Sequence, residues 1–196
     1  MALISFSNVS FGYNDNDLLD DVSVAFNDNE HVAIIGDNGS GKTTLLRLLA
    51  GNLSPDSGVI SRNASVYMLN QINASDSKSG GEQQMFALMR AFESNADILL
   101  LDEPYSALDY QTRLLVTDDV YKIIKSENKT TIMVTHDIPE SISMSDEVII
   151  LSNRPSTIKN VYKIEFDIPN RTPLSCRDNT TFTQYFDKVW RSLNSN

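Results

Sequence analysis

The sequence predicts an α/β protein with a mainly parallel sheet and an antiparallel β addition at its N-terminus. Three observations lead to this fold class. Short, almost wholly apolar runs alternate with amphipathic helical patterns, which is typical of parallel strands covered on both faces. One of these runs ends in a glycine-rich turn that opens a helix. The first two segments instead alternate apolar and polar residues, which indicates strands with one solvated face.

The first quarter of the chain is expected to form three strands and one helix. Inward-facing Ile4, Phe6 and Val9 mark the first strand, and Val22, Val24 and Phe26 mark the second. The apolar run at 31–36 reads as a buried strand. Leucines at helical spacing over 42–50 predict a helix, and Gly51 is a stop signal.

The middle of the chain continues the alternation of strand and helix. We expect strands over 65–71, 97–104, 130–137 and 147–153, and helices over 81–92, 110–128 and 138–146. This alternation predicts a largely parallel, covered sheet, and residues 1–152 are assigned to one core domain.

The pattern changes from Arg154-Pro155 onward, so residues 153–196 are expected to form a C-terminal strand and an amphipathic helix packed on the core. Residues 156–168 alternate as a strand, and 169–179 read as a loop. The final segment then places an aromatic stripe at helical spacing, which we interpret as core packing: Phe182, Tyr185, Phe186, Val189, Trp190 and Leu193.

Composition excludes several classes of function. The chain has 196 residues and a formal net charge of −10, which argues against a nucleic-acid partner because phosphate backbones require clustered Lys and Arg. No apolar run reaches the roughly 18 residues that a membrane span needs, and the N-terminus lacks the features of a secretion signal. Cys176 is the single cysteine, so an intramolecular disulfide is excluded and a reducing compartment is favoured.

The turn GDNGSGKT, residues 36–43, fits the phosphate-binding pattern G-x-x-x-x-G-K-[ST] between a strand and a helix. Its glycines let backbone N–H groups approach phosphate oxygens, and the helix N-terminus adds partial positive charge. Lys42 is expected to reach the β- and γ-phosphates, and Thr43 to offer its hydroxyl to Mg²⁺. The predicted nucleotide-binding residues of this segment are Gly36, Asp37, Asn38, Gly39, Ser40, Gly41, Lys42, Thr43 and Thr44.

Two acids follow the apolar run ILLL at 98–101, where ligands gather in an open α/β sheet. Asp102 is expected to hold Mg²⁺ through water. Glu103 is expected to be the general base that polarises the attacking water. Together with the phosphate loop, this pair predicts a P-loop NTPase core.

With these two motifs the chain resembles the nucleotide-binding subunits of ABC (ATP-binding cassette) ATPases, and further motifs fall in family order. The resemblance implies that Tyr13 stacks on adenine, that Gln71 senses the γ-phosphate and Mg²⁺, and that His136 is the switch histidine. Asp109, in SALD, matches the loop that couples two subunits. The family signature, which meets ATP held by a second subunit, corresponds to Ser79, Gly80, Gly81, Glu82 and Gln83. His31 has no such context and is expected at the surface.

The resemblance, closest to nitrate, sulfonate and taurine importers, implies an ATP-hydrolysing subunit that energises import of small solutes. It implies a dimer, or paired cassettes, with two ATP molecules sandwiched between them, and a transmembrane permease as partner. The protein would be cytoplasmic and peripheral on the inner face of the cell membrane. Two alternatives stay open at this point: a soluble ABC-type ATPase without a transporter, and an ATP-binding module with little turnover.

One departure from the family pattern concerns the helical subdomain that importer subunits carry between the sensing glutamine and the signature. Here only residues 72–78 separate Gln71 from Ser79, and seven residues reach about 25 Å at most when extended. The subdomain is therefore predicted to be reduced to a short loop, which also removes much of the groove in which a permease would dock.

Overall fold

The computed structural model describes residues 2–14, 16–71 and 79–195, without the side chains of residues 79 and 80. The predicted short connection at 72–78 lies outside the described residues. Within this part of the chain the strands are β1 Ala2–Tyr13, β2 Asn16–Asn27, β3 His31–Ile35, β4 Ser57–Arg62, β5 Val66–Leu69, β6 Ile98–Asp102, β7 Thr130–Val134, β8 Glu147–Leu151 and β9 Ile158–Lys163. The helices are α1 Lys42–Leu49, α2 Ser79–Glu93, α3 Tyr110–Glu127, α4 Ile138–Met144, α5 Pro173–Arg177 and α6 Thr180–Asn194.

The strands form two sheets. A six-stranded sheet has the order β5-β6-β7-β3-β8-β9 and is parallel except for the antiparallel pair β8 and β9. A three-stranded sheet has the order β2-β1-β4, with β1 antiparallel to both neighbours. The predicted fold class, a mainly parallel sheet with an antiparallel N-terminal addition, is confirmed.

Side-chain alternation along the buried strands divides the core into two layers. Ala33, Leu99 and Leu101 face a cluster that includes α3, α4 and α6. Val32 and Leu100 face a second cluster, formed with α1 and the antiparallel sheet. Because successive side chains of a strand point to opposite faces, each central strand is covered on both sides. This explains why its sequence is almost wholly apolar.

The C-terminal elements pack on the first of these clusters. Val189 of α6 is fully buried, and Phe182, Tyr185, Phe186 and Leu193 are partly buried against the core. Trp190 differs from the expectation because it is 54% exposed and stacks on Phe186 at the outer side of the helix. The aromatic stripe is therefore wider than the face that contacts the core.

Two elements were not evident from the sequence pattern. β4 pairs with β1 but exposes most of its residues, so it carries no apolar alternation. The segment 169–179, expected as a loop, contains the short helix α5. Thr172 begins this helix through a capping box with Ser175.

His31 was expected at the surface, and this prediction is wrong. It opens the central strand β3, is 3% exposed, and shares a hydrogen bond of 2.9 Å between its Nδ1 and Thr131 Oγ1 of β7. Burial lowers its pKa to about 4, with Lys125 adding to the effect. Among the described helices none is both long and apolar enough to cross a membrane.

Candidate functional site

The parallel strands β3, β6 and β7 end at one edge of the large sheet, where a cleft of about 520 Å³ opens. Most of the site residues predicted from the sequence lie in its wall. The lining residues are Tyr13, Leu18, Asn38, Gly39, Gly41, Lys42, Thr43, Thr44, Gln71, Asp102, Glu103, Val134, His136 and Arg154. Asp37 and Ser40 line a smaller depression on the other side of the same turn.

The turn between β3 and α1 has the backbone of a phosphate loop. Gly39 and Gly41 have φ values of 83° and 91°, a left-handed backbone conformation that residues with a side chain rarely adopt. A Cβ on Gly41 would also meet the side chains of Leu18 and Leu19 at 3.0–3.1 Å. Position 41 thus requires glycine, both because of its backbone conformation and because it packs closely against β2.

Lys42 is held inside this loop. Its Nζ donates hydrogen bonds to the carbonyl oxygens of Gly36 at 2.8 Å and Asp37 at 2.9 Å. Burial lowers the pKa of the ammonium group, and the carboxylates of Glu103, Asp102 and Asp37 oppose that shift. The result is a buried cation positioned at the base of a cleft, which is the arrangement that phosphate oxygens need.

Asp102 closes β6 beside this cation and is 3% exposed. Its Oδ1 atom is buried without a hydrogen-bond partner in the described structure. Burial raises its pKa, while a hydrogen bond with the Thr43 side chain and the charges of Arg47 and Lys42 oppose the shift. An unpartnered buried carboxylate oxygen next to a hydroxyl fits an Mg²⁺ site, because Mg²⁺ uses one or two protein oxygens together with phosphates and water.

Glu103 and His136 form a pair at the mouth of the cleft. The Nδ1 atom of His136 lies 2.8 Å and 2.9 Å from the two carboxylate oxygens of Glu103. Glu103 has a φ of 50°, and its N–H donates to the Val134 carbonyl at 2.9 Å. The backbone bond to β7 thus fixes a strained turn that directs this carboxylate away from the sheet.

Gln84 connects the helix of the signature to this turn and was missed by the sequence analysis. It is 1% exposed; its Nε2 donates to the Glu103 carbonyl at 3.2 Å, and its Oε1 accepts from the Ala107 N–H at 2.9 Å. The sequence does carry a signal for this residue, since Gln84 lies on the same helical face as Leu88 and Ala91, which is otherwise apolar. A polar side chain on such a face indicates a buried hydrogen-bonding role. Gln84 therefore links the position of α2 to the position of Glu103.

The other predicted signature and coupling residues are only partly placed. Gly81 lies against Leu108, since a Cβ there would be 3.3 Å from its side chain. Glu82 and Gln83 are exposed on α2, while the side chains of residues 79 and 80 lie outside the described part. Asp109 caps α3, accepting from the N–H groups of Gln111 and Thr112. Hydrogen bonds, first that from the Thr112 side chain, lower the Asp109 pKa.

Tyr13 and Gln71 both line the cleft, Tyr13 as the last residue of β1 and Gln71 as the second residue after β5. The Tyr13 ring is 43% exposed and packs edge-on against Phe11 at 4.9 Å between ring centres. An exposed ring supported from behind is suited to stacking on a flat ligand.

Arg154 and Glu140 were also missed. Arg154, in the turn after β8, donates from its Nε to the Gly39 carbonyl and lines the cleft. Glu140 of α4 is 3% exposed behind the Glu103–His136 pair, and burial raises its pKa to about 8, with Asp137 adding and Arg113 opposing. Neither residue belongs to a sequence motif used above.

Comparisons with known proteins agree with this geometry. The family model described as ABC transporter matches residues 19–77. An uncharacterized ABC transporter ATP-binding protein of Bacillus subtilis, YtlC, is 30% identical, and the match covers 85% of this chain and 84% of that protein. The aliphatic sulfonates import ATP-binding protein SsuB 1 of Nocardia farcinica is 32% identical, with 76% of this chain and 77% of that protein covered.

Among solved structures, the dimeric post-hydrolysis state of the ATP-binding cassette MJ0796, bound to ADP and Pi, shares the fold with a TM-score of 0.70. It is 20% identical, and the match covers 83% of this chain and 99% of that chain. The alignment with the Bacillus protein extends over 219 positions, more than the 196 residues of this chain, so that relative has segments that this chain lacks. The chain belongs to the family of ABC transporter ATP-binding proteins and is an ABC-type ATPase.

Proposed function

We propose that the protein binds Mg-ATP in the cleft at the carboxyl end of its sheet and hydrolyses it to energise an ABC importer for small solutes. The observation that carries this proposal is the meeting, in one cleft, of the phosphate loop, the Asp102 carboxylate with its unpartnered Oδ1 atom, and the Glu103–His136 pair. The relatives that are sulfonate import proteins support an organic anion as the solute class.

In this proposal the triphosphate occupies the loop of residues 36–43, and Lys42 neutralises its β- and γ-oxygens. Thr43, Asp102 and Gln71 are the side chains that would hold Mg²⁺, which supplies charge neutralisation at the phosphates when bound. Tyr13 stacks on the adenine ring. These roles need no movement of β3 or β6, since the residues already lie around one cleft.

Glu103 orients the attacking water and draws a proton from it, while His136 holds the Glu103 carboxylate through the hydrogen bond at Nδ1. The same imidazole would contact the γ-phosphate, a role supported by a side chain that lines the cleft and is 63% exposed. The active form would be an ATP-dependent dimer in which the signature residues, Ser79 to Gln83, meet the nucleotide of the partner copy. This dimer would be bound to the cytoplasmic face of a membrane permease.

Glu103→Gln tests the hydrolytic role, because it keeps the side-chain shape and removes the carboxylate charge. We expect nearly unchanged ATP affinity, a loss of turnover of about a hundredfold or more, and a longer-lived ATP-bound dimer. ATP titration measures the affinity, phosphate release measures the turnover, and gel filtration measures the ATP-bound dimer. Glu127→Gln, an exposed position at the end of α3, is the matched control. Unchanged turnover in Glu103→Gln would refute the assignment.

A second candidate is an ATP-binding module with little turnover. Phe86 and Met89 of α2 are 59% and 44% exposed, and a relative has segments that this chain lacks. Both observations favour a signature helix without the cover of a helical subdomain, and phosphoryl transfer depends steeply on positioning. Strong ATP binding by the parent protein together with negligible phosphate release, with or without a permease, would favour this candidate.

A further inference from the structure

The turn between β8 and β9 brings a second cation to the cleft, and the proposed mechanism above does not use it. Arg154 lies 115 residues from Gly39 in sequence, yet its Nε donates to the Gly39 carbonyl at the tip of the phosphate loop. The guanidinium lies close to this glycine, because a Cβ there would be 3.4 Å from Nη2 and 3.7 Å from Cζ. Arg154 lines the same cleft as Lys42 and Thr43.

The backbone that carries Arg154 is closed by a dense set of hydrogen bonds. The Ser152 N–H donates to the Thr157 carbonyl at 3.0 Å, and the Thr157 N–H donates to Ser152 Oγ at 2.9 Å. Ser156, which is fully buried, donates its hydroxyl to the Ser152 carbonyl at 3.0 Å. The position of Arg154 is therefore set by a short turn and does not depend on a long unsupported loop.

The same turn is bound to the strand that supports the phosphate loop. The Ser156 N–H donates to the Leu18 carbonyl at 2.8 Å, and the Ser156 carbonyl accepts from the Asp20 N–H at 3.0 Å. Leu18 and Leu19 in turn pack against Gly41. Arg154 and the phosphate loop are thus positioned by one continuous set of contacts through the start of β2.

Arg154 adds a free set of donors to a cleft that holds both carboxylates and cations, and Arg47 also lies near Asp102. Asp102 and Glu103 place two carboxylates beside Lys42, whose ammonium already donates to two loop carbonyls. The chain as a whole carries a formal charge of −10. A guanidinium has five N–H donors in a planar fork, and in the described structure only the Nε–H of Arg154 has a protein acceptor.

We infer that Arg154 is a phosphate-binding residue, which uses its Nη donors on the phosphate chain of the nucleotide while its Nε stays on the Gly39 carbonyl. This inference rests on the proposed function of the cleft and adds a residue to it. Two cations from distant parts of the chain, Lys42 from below and Arg154 from the rim, then flank the triphosphate. Guanidinium forks suit phosphate oxygens because they donate two parallel hydrogen bonds.

The test is ATP titration of the whole protein by calorimetry, between about 50 and 500 mM KCl, for Arg154→Gln, Arg154→Lys and Lys42→Ala. We expect Arg154→Gln to bind ATP about tenfold more weakly at low salt, and the difference from the parent to shrink at high salt, where an exposed charge is screened. Arg154→Lys should lose less, since it keeps the charge but not the fork. Lys42→Ala should lose about a hundredfold or more.

The control is Arg191→Gln, which removes the same charge from an exposed position of α6 outside the cleft. Arg154→Gln binding as tightly as this control would overturn the inference while leaving the proposed function intact. An equal loss for Arg154→Gln at every salt concentration would also overturn it, because it would indicate that the side chain only braces Gly39. A parent protein that binds no ATP, or Lys42→Ala that binds as well as the parent, would overturn the proposed function itself.

Discussion

The two ends of the six-stranded sheet both carry buried ionisable groups, but they differ in how these groups are satisfied. At the amino end, the Arg171 guanidinium donates to the carbonyls of Ile142, Ser143 and Ser145 and to the Asp146 carboxylate. It also lies over the ring of Phe166 at 5.0 Å. Since Nε also donates to Cys176 Sγ at 3.3 Å, each of the three guanidinium nitrogens has an acceptor inside the protein.

At the carboxyl end, by contrast, polar atoms are buried without partners. Asp102 Oδ1 and Ser40 Oγ have no hydrogen-bond acceptor or donor in the described structure. A buried group without a partner costs about 1–3 kcal/mol. Tyr105 Oη and Arg177 Nε are also unpartnered but lie outside the cleft wall, whereas Asp102 lines it. An unmatched atom therefore indicates a ligand site only where it also faces a cleft, and burial alone does not.

The largest effect on folding is expected at the amino end. Arg171→Ala removes a guanidinium that is 13% exposed, and it leaves three carbonyls at the end of α4 without their hydrogen-bond donor. We expect the free energy of unfolding to fall by about 3 kcal/mol, with the ATP affinity of the folded fraction unchanged. Denaturant unfolding measures the stability and ATP titration measures the affinity. The control is Arg191→Ala, at an exposed position. A loss of ATP affinity without a loss of stability would break the comparison.

An effect that is smaller for each pH unit, and opposite in sign at the two ends, is expected in the pH dependence of stability. The pKa of His31 is lowered from 6.5 to about 4, so its contribution is present above pH 6.5 and is lost as pH falls toward 4. The pKa of Glu140 is raised from 4.5 to about 8, so its contribution is present below pH 4.5 and is lost as pH rises toward 8.

His31→Gln should therefore flatten the acid limb of the stability profile, and Glu140→Gln the alkaline limb, each by up to about 1.4 kcal/mol per pH unit. Unfolding titrations between about pH 4 and pH 8 measure both limbs. Identical profiles for the parent and both variants would show that these groups have the same proton affinity in the folded and unfolded chain.

The sequence predicted those parts of the site that depend on local spacing. The phosphate loop and the acids Asp102 and Glu103 each lie at the end of a recognisable apolar strand, and the parallel sheet brings strand ends together. Gln71 and Tyr13 line the same cleft, and their roles toward the γ-phosphate and adenine stay predictions.

The residues that were missed owe their positions to contacts between distant parts of the chain. Arg154 meets Gly39 across 115 residues, and His31 meets Thr131 across 100. No short pattern encodes either contact, and His31 was misassigned to the surface because a single histidine carries no periodic signal. Gln84 was missed for a different reason, since its amide satisfies backbone groups from inside an apolar helix face.

Asp102→Asn is the most direct test of Mg-ATP binding at the end of β6, because the unpartnered Oδ1 atom of Asp102 is the one that the bound metal and nucleotide would complete. Burial raises the pKa of Asp102, so the charged form is disfavoured in the nucleotide-free protein. The uncharged amide should therefore raise the unfolding temperature without nucleotide, while ATP turnover falls about a hundredfold or more as metal binding is lost.

One thermal-unfolding and phosphate-release experiment on Asp102→Asn gives both values, with Asp119→Asn, 76% exposed on α3, as the control for removing a carboxylate. The assignment of Asp102 predicts a more stable and nearly inactive protein. A protein that is less stable than the parent and still hydrolyses ATP at the parental rate would contradict it.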